Sequence, residues 1–458
     1  MSERTSAISG FLRMCFPTRR AVMLALLVCV AIPTTLVALQ INDNPKFSPI
    51  DEGAHWDYVT RVAHGSVPRI GQNLQPSTLR ELSCRQTDLN GLLVPKCTAK
   101  HLSAHQFPGF AQQYEAQHPP TYYAITVPLR WVAMHVFGFS DVGGTRLTGI
   151  LWLVLGLLLL WCAGRVLDLA PEVIGLGALL LATAPVVIYH TAVISNDVPS
   201  IFVGSLVALV AALAYKRPGR WMTPALAATG FFAAAIKTTD LFPVAAIAAV
   251  FAVQAWTRRP AGAPTHAVAT VKGLVRRWMP DGGALLFGGL LASSIWVLLN
   301  HQLALIDPKD IAAFGVLRVR PVGPGTILRE VPILLGPVTD SFVSPGTLGG
   351  NLQQFVTPLL RFLLIGGALS GLFVSVRKWQ HWLGLSVVAT LLAGGFAFGV
   401  GLKLNYDIDP GLSGRYAMSM GPLLVLVVVA TASGKWVIRG LWVFAAASLG
   451  ITLYALVF

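Results

Sequence analysis

The sequence predicts an all-α polytopic membrane protein with about eleven transmembrane helices and a large first external loop that carries interfacial helices. Of its 458 residues, 54% are hydrophobic and only 12% are charged, and the mean hydropathy is +0.66. Soluble domains carry about 25% charged residues, so the polar surface of a soluble protein of this size is missing. This composition excludes a soluble enzyme, a disordered protein and a disulfide-rich secreted module.

The apolar residues are grouped into stretches of transmembrane length. A helix that crosses the hydrocarbon core needs about 20 largely apolar residues. Eleven stretches satisfy this requirement: 21–40, 146–164, 172–190, 199–215, 221–238, 241–257, 282–300, 355–376, 380–401, 416–434 and 438–458. We therefore expect one transmembrane domain over residues 1–458.

The distribution of Lys and Arg decides the topology. A further apolar stretch, 122–139, contains Pro128, Arg130 and His135, so it could cross the membrane or lie along its surface. If it lies along the surface, every basic cluster faces the cytoplasm, as the positive-inside rule requires. If it crossed, all clusters after it would face outward. The clusters are 4–20, Arg165, 216–220, 258–277, 377–378 and 435–439.

The surface arrangement is favoured, and it gives a cell-membrane protein (inner or plasma membrane) with a cytoplasmic N-terminus and an external C-terminus. Nearly all of the net charge of +14 then faces the cytoplasm, so it requires no nucleic-acid partner. Two long segments, 41–145 and 301–354, lie outside. Because loops longer than about 15 residues are usually functional, we expect the active face to be external or periplasmic.

Two cysteines, Cys84 and Cys97, share the first external segment. An oxidising exterior favours a disulfide between them, with two free thiols as the alternative. A metal site is a weaker alternative because the pair lacks the tight spacing of metal ligands. We expect no bound metal in the protein.

The densest polar cluster of the chain begins that same segment, in the run from Ser48 to Tyr58. Ser48 could cap a helix that starts at Pro49, with Asp51 completing a capping box. Capping alone would explain Asp51, but it would not explain four ionisable groups within seven residues.

A helical reading of this cluster places its polar side chains together. Asp51, His55 and Tyr58 fall on one face at positions i, i+4 and i+7, and Glu52 lies beside them. The amphipathic stretch 49–63 is typical of a helix that lies on the membrane surface. We favour a functional role for this cluster over pure capping.

A second group of polar residues precedes the stretch 122–139, in the run Gln117-His118-Pro119-Pro120-Thr121-Tyr122-Tyr123. Tyr122 and Tyr123 taken alone are better explained as an aromatic belt at the membrane surface. His118, just before the two prolines, is a candidate polar contact.

Further ionisable residues stand at the outer ends of predicted spans: Asp197, Lys237, and Arg415 followed by Tyr416. Charges at membrane depth are costly and tend to be functional. The alternatives are snorkelling, or a local pair such as Lys237 with Asp240. Their convergence on one face, opposite the acidic helix, favours function. Additional cations on that face are Arg318, Arg320, Arg329 and Lys403.

A carboxylate that faces several cations at the membrane surface suits transfer of a sugar from a lipid phosphate. Lys and Arg can hold the phosphate at headgroup level and stabilise the charge that grows on it as it leaves. Phosphate leaves readily, so the remaining requirement is a base for the acceptor hydroxyl. One carboxylate suffices for a single displacement with inversion, unlike the carboxylate pair of glycoside hydrolysis.

At these residues the chain resembles the GT-C superfamily of membrane glycosyltransferases. Asp51-Glu52-x-x-His55, the His-Pro-Pro-x-Tyr-Tyr run from His118, and Asp197-Val198-Pro199 carry the likeness. The first motif is closest to protein O-mannosyltransferases and bacterial aminoarabinose transferases, whereas Gly414-Arg415-Tyr416 is similar to their uncharacterised bacterial relatives.

The resemblance implies roles for these residues. Asp51 would be the catalytic base, and Glu52 and His55 would orient it or the acceptor. The substrate would be bound by a further set, in which Asp197 lies near the sugar and Lys237 and Arg415 clamp the lipid phosphate. That set is His118, Tyr122, Asp197, Lys237, Arg415 and Tyr416. The absence of a Trp-Trp-Asp motif argues against an oligosaccharyltransferase.

We therefore expect a glycosyltransferase that uses a polyprenyl-phosphate sugar as donor and needs no other cofactor. Its acceptor would be a protein, a glycan or a lipid. The alternative is a transporter or flippase of a lipid-linked sugar, for which internal repeats and helices broken by Gly or Pro near the membrane midplane are expected. A non-catalytic scaffold would leave the acidic cluster unexplained.

Overall fold

The computed structural model describes residues 2–48, 51–85, 94–107, 111–257, 279–307, 310, 323–338, 348–374, 378–406 and 413–457. Helices joined by short turns make up these ranges. Within them no β-strand forms, and the single antiparallel bridge joins Asn73 and Gln112.

The helices follow one another along the whole described chain. They are α1 (Ser2–Cys15), α2 (Arg19–Asp43), α3 (Glu52–Ala63), α4 (Pro76–Cys84), α5 (Thr121–His135), α6 (Asp141–Val166), α7 (Pro171–Ala182), α8 (Pro185–Ala192), α9 (Ser200–Lys216), α10 (Met222–Ile236), α11 (Leu241–Thr257), α12 (Ala284–Leu303), α13 (Pro324–Glu330), α14 (Leu348–Ser370), α15 (Trp379–Tyr406), α16 (Gly421–Thr431) and α17 (Lys435–Val457). Three short 3₁₀ turns matter for the site: Tyr114–Gln117, Thr238–Asp240 and Gly414–Met420.

Eight of the helices in the described ranges are long and apolar enough to cross a membrane, and a ninth span results if the bent pair α7–α8 counts as one. Two shorter apolar helices, α9 and α10, coincide with the predicted stretches 199–215 and 221–238. The described chain is thus all-α and polytopic by the length and composition of its helices. The count of eleven spans stays a prediction.

Helix α5 covers most of the ambiguous stretch 122–139. Its 15 residues rise about 22 Å, which is short of the roughly 30 Å hydrocarbon core. Its exposed residues include Trp131, and its Arg130 pairs with Asp141 at the start of α6. Helix α10 has the same length, so the placement of α5 along the membrane surface stays a prediction.

Helices α7 and α8 meet at a bend of 62°. Pro185 at the start of α8 has no backbone N–H to continue the helical bonding. The polar groups at the bend are satisfied inside the bundle, because Ser448 Oγ lies 3.1 Å from Thr183 Oγ1 and Thr452 Oγ1 donates to the Thr183 carbonyl at 3.3 Å. Side chains of α17 therefore provide hydrogen bonds to the polar groups of Thr183 at the bend.

Glycines bring the site-bearing helices into backbone contact. A Cβ on Gly204 of α9 would lie 1.9 Å from the Ser419 carbonyl oxygen, and one on Gly149 of α6 would lie 2.0 Å from that of Thr191. Small residues permit such close approach between membrane helices. As a result, α9 packs directly on the turn 414–420, and α6 on the end of α8.

The chain around α3 and α4 is folded around the buried carboxylate of Asp57. Its Oδ1 accepts from the backbone N–H of Gln75 at 2.7 Å and from Thr78 Oγ1 at 2.8 Å. Its Oδ2 accepts from Arg61 Nε at 2.6 Å and from Gln113 Nε2 at 2.8 Å. Four hydrogen bonds satisfy a buried carboxylate, and here they tie α3 to α4 and to the chain before Tyr114.

Of our expectations for this part of the chain, the disulfide is confirmed and the surface helix is wrong. The structure joins Cys84 and Cys97 in a disulfide, with 4.3 Å between their Cα atoms. The predicted surface helix over 49–63 is wrong: α3 begins at Glu52, and every residue from 52 to 61 is buried. The amphipathic pattern misled because its polar side chains find partners within the protein rather than in water.

Candidate functional site

Asp51 lies immediately before α3 in a left-handed conformation, with φ 60° and ψ −1°. Its side chain makes no capping bond to α3, and the Ser48 backbone N–H instead donates to Glu52 Oε2 at 2.6 Å. The predicted capping box is therefore wrong. The Asp51 carboxylate turns away from its own helix, accepts from the Tyr114 hydroxyl at 2.8 Å, and lies 3.3 Å from Arg415 Nη2.

Glu52 is fully buried and anchors the segment around Asp51. Its two carboxylate oxygens accept from Arg146 Nε and Nη2 of α6, both at 2.7 Å. The Ile194 backbone N–H donates to Oε1 at 3.0 Å. The same guanidinium donates to the carbonyl oxygens of Asn44 and Lys46. This pair therefore joins the chain before Asp51, the start of α6 and the segment 193–199.

His55 belongs to a buried group of histidines, tyrosines and one glutamate. Its Nδ1 lies 2.8 Å from the Tyr123 hydroxyl, and its Nε2 lies 3.4 Å from Glu115 Oε2. His118 Nε2 lies 3.1 Å from that same oxygen. The Tyr58 hydroxyl donates to the His118 carbonyl at 2.9 Å, and its ring stacks on Tyr123 at 3.7 Å.

The titration of this group follows from its burial. Burial lowers the pKa of His55 below its usual value, against the opposing effect of Glu115. Burial alone would raise the pKa of the Glu115 carboxyl, but His55, His118 and Arg415 together lower it, to about 2. Glu115 is therefore an acceptor, not a proton donor, at neutral pH.

Asp197 is held between two cations at the ends of α9, α10 and the turn 414–420. Its Oδ1 is paired with Lys237 Nζ, and its Oδ2 lies 3.9 Å from Arg415 Nε and 3.8 Å from His190 Nδ1. Burial would raise the pKa of Asp197, but Lys237 and Arg415 hold it well below its usual value. The Asp197 carboxylate is therefore ionised, and the charges of Lys237 and Arg415 balance it.

Aromatic rings line the same group of charges. The Tyr416 ring lies 5.4 Å from Lys237 Nζ and 5.3 Å from the Arg415 guanidinium carbon, within cation–π distance. Tyr122 is buried and its ring meets Tyr123 edge to face at 5.1 Å. Tyr122 thus packs in the protein and is not part of an exposed aromatic belt.

The structure brings together five of the predicted site residues, which we call the Arg415 cluster. They are Asp51, Asp197, Lys237, Arg415 and Tyr416. They stand in the short stretches between helices: before α3, between α8 and α9, after α10, and in the turn 414–420. The Lys237 ammonium pairs with Asp197 and not in the suggested local pair with Asp240.

The other predicted site residues surround this cluster. Glu52 accepts from Arg146 and from the Ile194 N–H, and Tyr122 packs on Tyr123. His55 and His118 both contact Glu115. Lys403 lies in the last turn of α15. Arg318, Arg320 and the side chain of Arg329 lie outside the described residues.

Sequence reasoning missed three residues that shape the site: Arg146, Tyr114 and Glu115. Arg146 could have been found, because it is a charge at the start of a predicted span. Tyr114 and Glu115 carried no comparable signal, because they lie in an irregular stretch of the sequence. Tyr114 is also 63 residues away from Asp51, its partner.

No group of three or more His, Cys, Asp or Glu side chains in the described ranges is arranged to hold a metal ion. Comparison of the chain with protein families, with curated proteins and with solved structures gives no match.

Proposed function

We propose that the protein is a GT-C-type membrane glycosyltransferase that moves a sugar from a polyprenyl-phosphate donor to an acceptor hydroxyl with inversion. Asp51 acts as the general base. Arg415, supported by Lys237, binds the donor phosphate. The reaction takes place on the external face, where the first external segment covers the helix ends.

The observation that carries this proposal is the contrast in exposure among the carboxylates of the site. The Asp51 side chain is 31% exposed, whereas those of Asp197, Glu115 and Glu52 are 4%, 5% and 0% exposed. The three buried groups are occupied by internal cations, histidines or backbone N–H groups. Asp51 is the carboxylate of this set that an acceptor hydroxyl can reach, as a general base requires.

The phosphate-binding role of Arg415 is based on its position and its chemistry. Its Nη2 lies 3.3 Å from Asp51 and its Nε lies 3.9 Å from Asp197, beside the proposed base. The planar fork of a guanidinium suits phosphate oxygens. Charge that develops on the departing phosphate is stabilised by this fixed cation.

Glu52 and His55 are positioning residues in this scheme, because neither contacts Asp51 through its side chain. The Glu52–Arg146 pair sets the backbone on which Asp51 stands. His55 holds Glu115, which follows Tyr114 in the turn that reaches Asp51.

The experiment that tests the proposal replaces Asp51 with Asn and compares it with Asp43→Asn. Asp43 is an exposed carboxylate at the end of α2 and provides the matched control. Purified protein is supplied with labelled polyprenyl-phosphate sugars and membrane acceptors, and release of polyprenyl phosphate is measured. We expect loss of turnover by about 10²-fold or more for Asp51→Asn and none for Asp43→Asn. Activity within a few-fold of wild type would refute the role of Asp51.

A second candidate, a flippase of a lipid-linked sugar, is favoured by one observation, the 62° bend between α7 and α8. Broken helices are common in transporters. Ser448 and Thr452 form hydrogen bonds to Thr183 at the bend, which supports a structural role for the bend. The test measures scrambling of a labelled lipid-linked sugar by the protein in vesicles. Scrambling by both wild type and Asp51→Asn, with no sugar transfer by wild type, would favour the flippase.

A further inference from the structure

Trp296 of α12 is bonded to the turn that reaches Asp51. Its indole N–H donates to the Gln117 carbonyl at 2.7 Å. Gln117 ends the turn Tyr114–Gln117, and the hydroxyl of Tyr114, at the other end, donates to the Asp51 carboxylate at 2.8 Å. The hydrogen bond from α12 and the one to the proposed base are therefore joined by a turn of four residues.

The half of α12 that carries Trp296 has few other attachments. The buried residues of this helix, which is described over its whole length, are Leu285, Gly288, Gly289 and Ala292. In that first half, a Cβ on Gly288 would lie 1.9 Å from the Ala227 carbonyl oxygen of α10, so the two backbones touch. Beyond it the helix exposes large apolar side chains such as Val297. The half-buried Trp296 thus contacts the turn from a stretch of helix that is mostly exposed.

The chain that leaves α12 packs on the same turn. The Leu305 backbone N–H donates to the Ile70 carbonyl at 2.9 Å. Ile70 and Ala116 are buried together, and three partly buried side chains pack against them: Tyr114, Ala304 and Ile306. Two of these five residues belong to the turn, and two follow α12. The contact of α12 with the turn is therefore continued by an apolar cluster that includes Tyr114.

Gln113 holds the opposite end of the turn. Its Nε2 donates to Asp57 Oδ2 of α3 at 2.8 Å. The internal bond at the start of the turn, from the Ala116 N–H to the Gln113 carbonyl, is long at 3.5 Å. The turn therefore depends on both anchors, Gln113 at its start and Trp296 at its end, to fix the direction of Tyr114.

We infer that Trp296 is a positioning residue for sugar transfer, which holds the turn so that the Tyr114 hydroxyl stays on the Asp51 carboxylate. The inference rests on the proposed function, since it takes Asp51 as the base. A general base must lie within hydrogen-bond reach of the proton that it takes. Misplacement of a reacting group by about 1 Å can cost about 10²-fold in rate. Trp296 acts on the reaction through Tyr114.

The test measures kcat and KM for a polyprenyl-phosphate hexose with the full-length protein in detergent. Trp296→Phe keeps an aromatic ring and removes the donated hydrogen bond. It should lower kcat about fivefold, the effect of one hydrogen bond, and change KM for the donor by less than about twofold. A purely structural role would lower the amount of folded protein and leave both constants unchanged.

Trp161→Phe is the matched control. The Trp161 indole donates to the Cys15 carbonyl at 2.9 Å, so the same kind of hydrogen bond is lost. Trp161 is fully buried and lies about 22 Å along α6 from Arg146, which contacts Glu52. This variant should lose at least as much thermal stability as Trp296→Phe and keep kcat and KM. An equal fall in kcat for the two variants would overturn the inference.

The double variant Trp296→Phe with Tyr114→Phe tests whether Trp296 acts through Tyr114. If it does, kcat of the double variant equals that of Tyr114→Phe alone, since the effects of residues in one network do not add. Losses that multiply would overturn the inference. Ile306→Ala, which removes packing from the cluster around Ala116, replaces Trp296→Phe in this comparison if that variant does not fold.

Hydrogen exchange separates this inference from the proposed function. The exchange of the backbone amides 114–118 is followed in the full-length protein without substrate. Trp296→Phe should raise it, because the turn loses an anchor, and Trp161→Phe should not. Unchanged exchange would overturn the inference. A wild type that transfers no sugar contradicts the proposed function, and the rise in exchange still shows whether Trp296 holds the turn.

Discussion

Replacing Glu52 with Gln should destabilise the protein strongly, because Glu52 is a buried carboxylate paired with a buried arginine. The Glu52 carboxylate is 0% exposed and accepts two bonds from Arg146, one from the Ser48 N–H and one from the Ile194 N–H. An amide in its place removes the negative charge and turns one acceptor into a donor that faces other donors. The buried guanidinium of Arg146 is then left without its counter-charge.

The expected magnitude follows from this burial. Removal of one partner of a buried ion pair costs about 3–5 kcal/mol, because the remaining charge stays out of water. Glu81→Gln is the matched control: Glu81 also pairs with an arginine, Arg85, at 2.9 Å, but its side chain is 38% exposed. An exposed pair is worth about 1 kcal/mol or less.

The assay is heat-induced loss of the folded monomer in detergent, followed by size-exclusion chromatography. Glu52→Gln should lower the midpoint temperature far more than Glu81→Gln. The double variant Glu52→Leu with Arg146→Met, which removes both charges, should recover part of the loss. Equal midpoints for Glu52→Gln and Glu81→Gln would refute the anchoring role of Glu52.

Two further predictions concern the residues around Asp51. Tyr114→Phe should lower the turnover number about tenfold and leave donor affinity unchanged, because it removes the 2.8 Å hydrogen bond to the Asp51 carboxylate. Tyr189→Phe is the control and should have no effect, because the Tyr189 hydroxyl bonds to Ser48. Equal effects of the two variants would contradict this prediction. Thermal stability should fall on acidification in two pH ranges, because in both the unfolded chain binds more protons than the folded protein. The first fall begins below pH 6.5, the usual pKa of histidine, since the pKa of His55 is lowered in the folded protein. The second runs from pH 4.5 towards about 2, the pKa of Glu115 in the folded protein. Glu115→Gln should flatten the lower part of a melting-temperature series in pH, and an unaltered curve would count against the assignment.

Local sequence patterns predicted much of the fold. Runs of about 20 apolar residues are visible without tertiary information, because each such run must satisfy its backbone as a helix in the membrane. The local patterns failed where polar residues were buried: Ser48 and Asp51 fit a capping box that does not form, because Glu52 takes the Ser48 N–H.

The site shows the same division. Asp51, Lys237 and Arg415 were identifiable as candidates because charges near the membrane are rare and costly. Their roles were not, since Asp51 and Arg415 are 364 residues apart and a partner at that distance has no local signal. Asp240 illustrates this most directly: its position three residues after Lys237 suggested a local pair, and packing assigned the ammonium to Asp197 instead.

Apolar helices of membrane length, the basic clusters between them and the polar residues that gather near helix ends can all be read from the amino-acid sequence. These are properties of single segments, set by hydrophobicity and backbone bonding. The packing of the helices sets which carboxylate stays accessible and which cation each buried acid receives. Those outcomes depend on contacts between segments far apart in the chain, where the cost of an unpaired buried charge selects the partner.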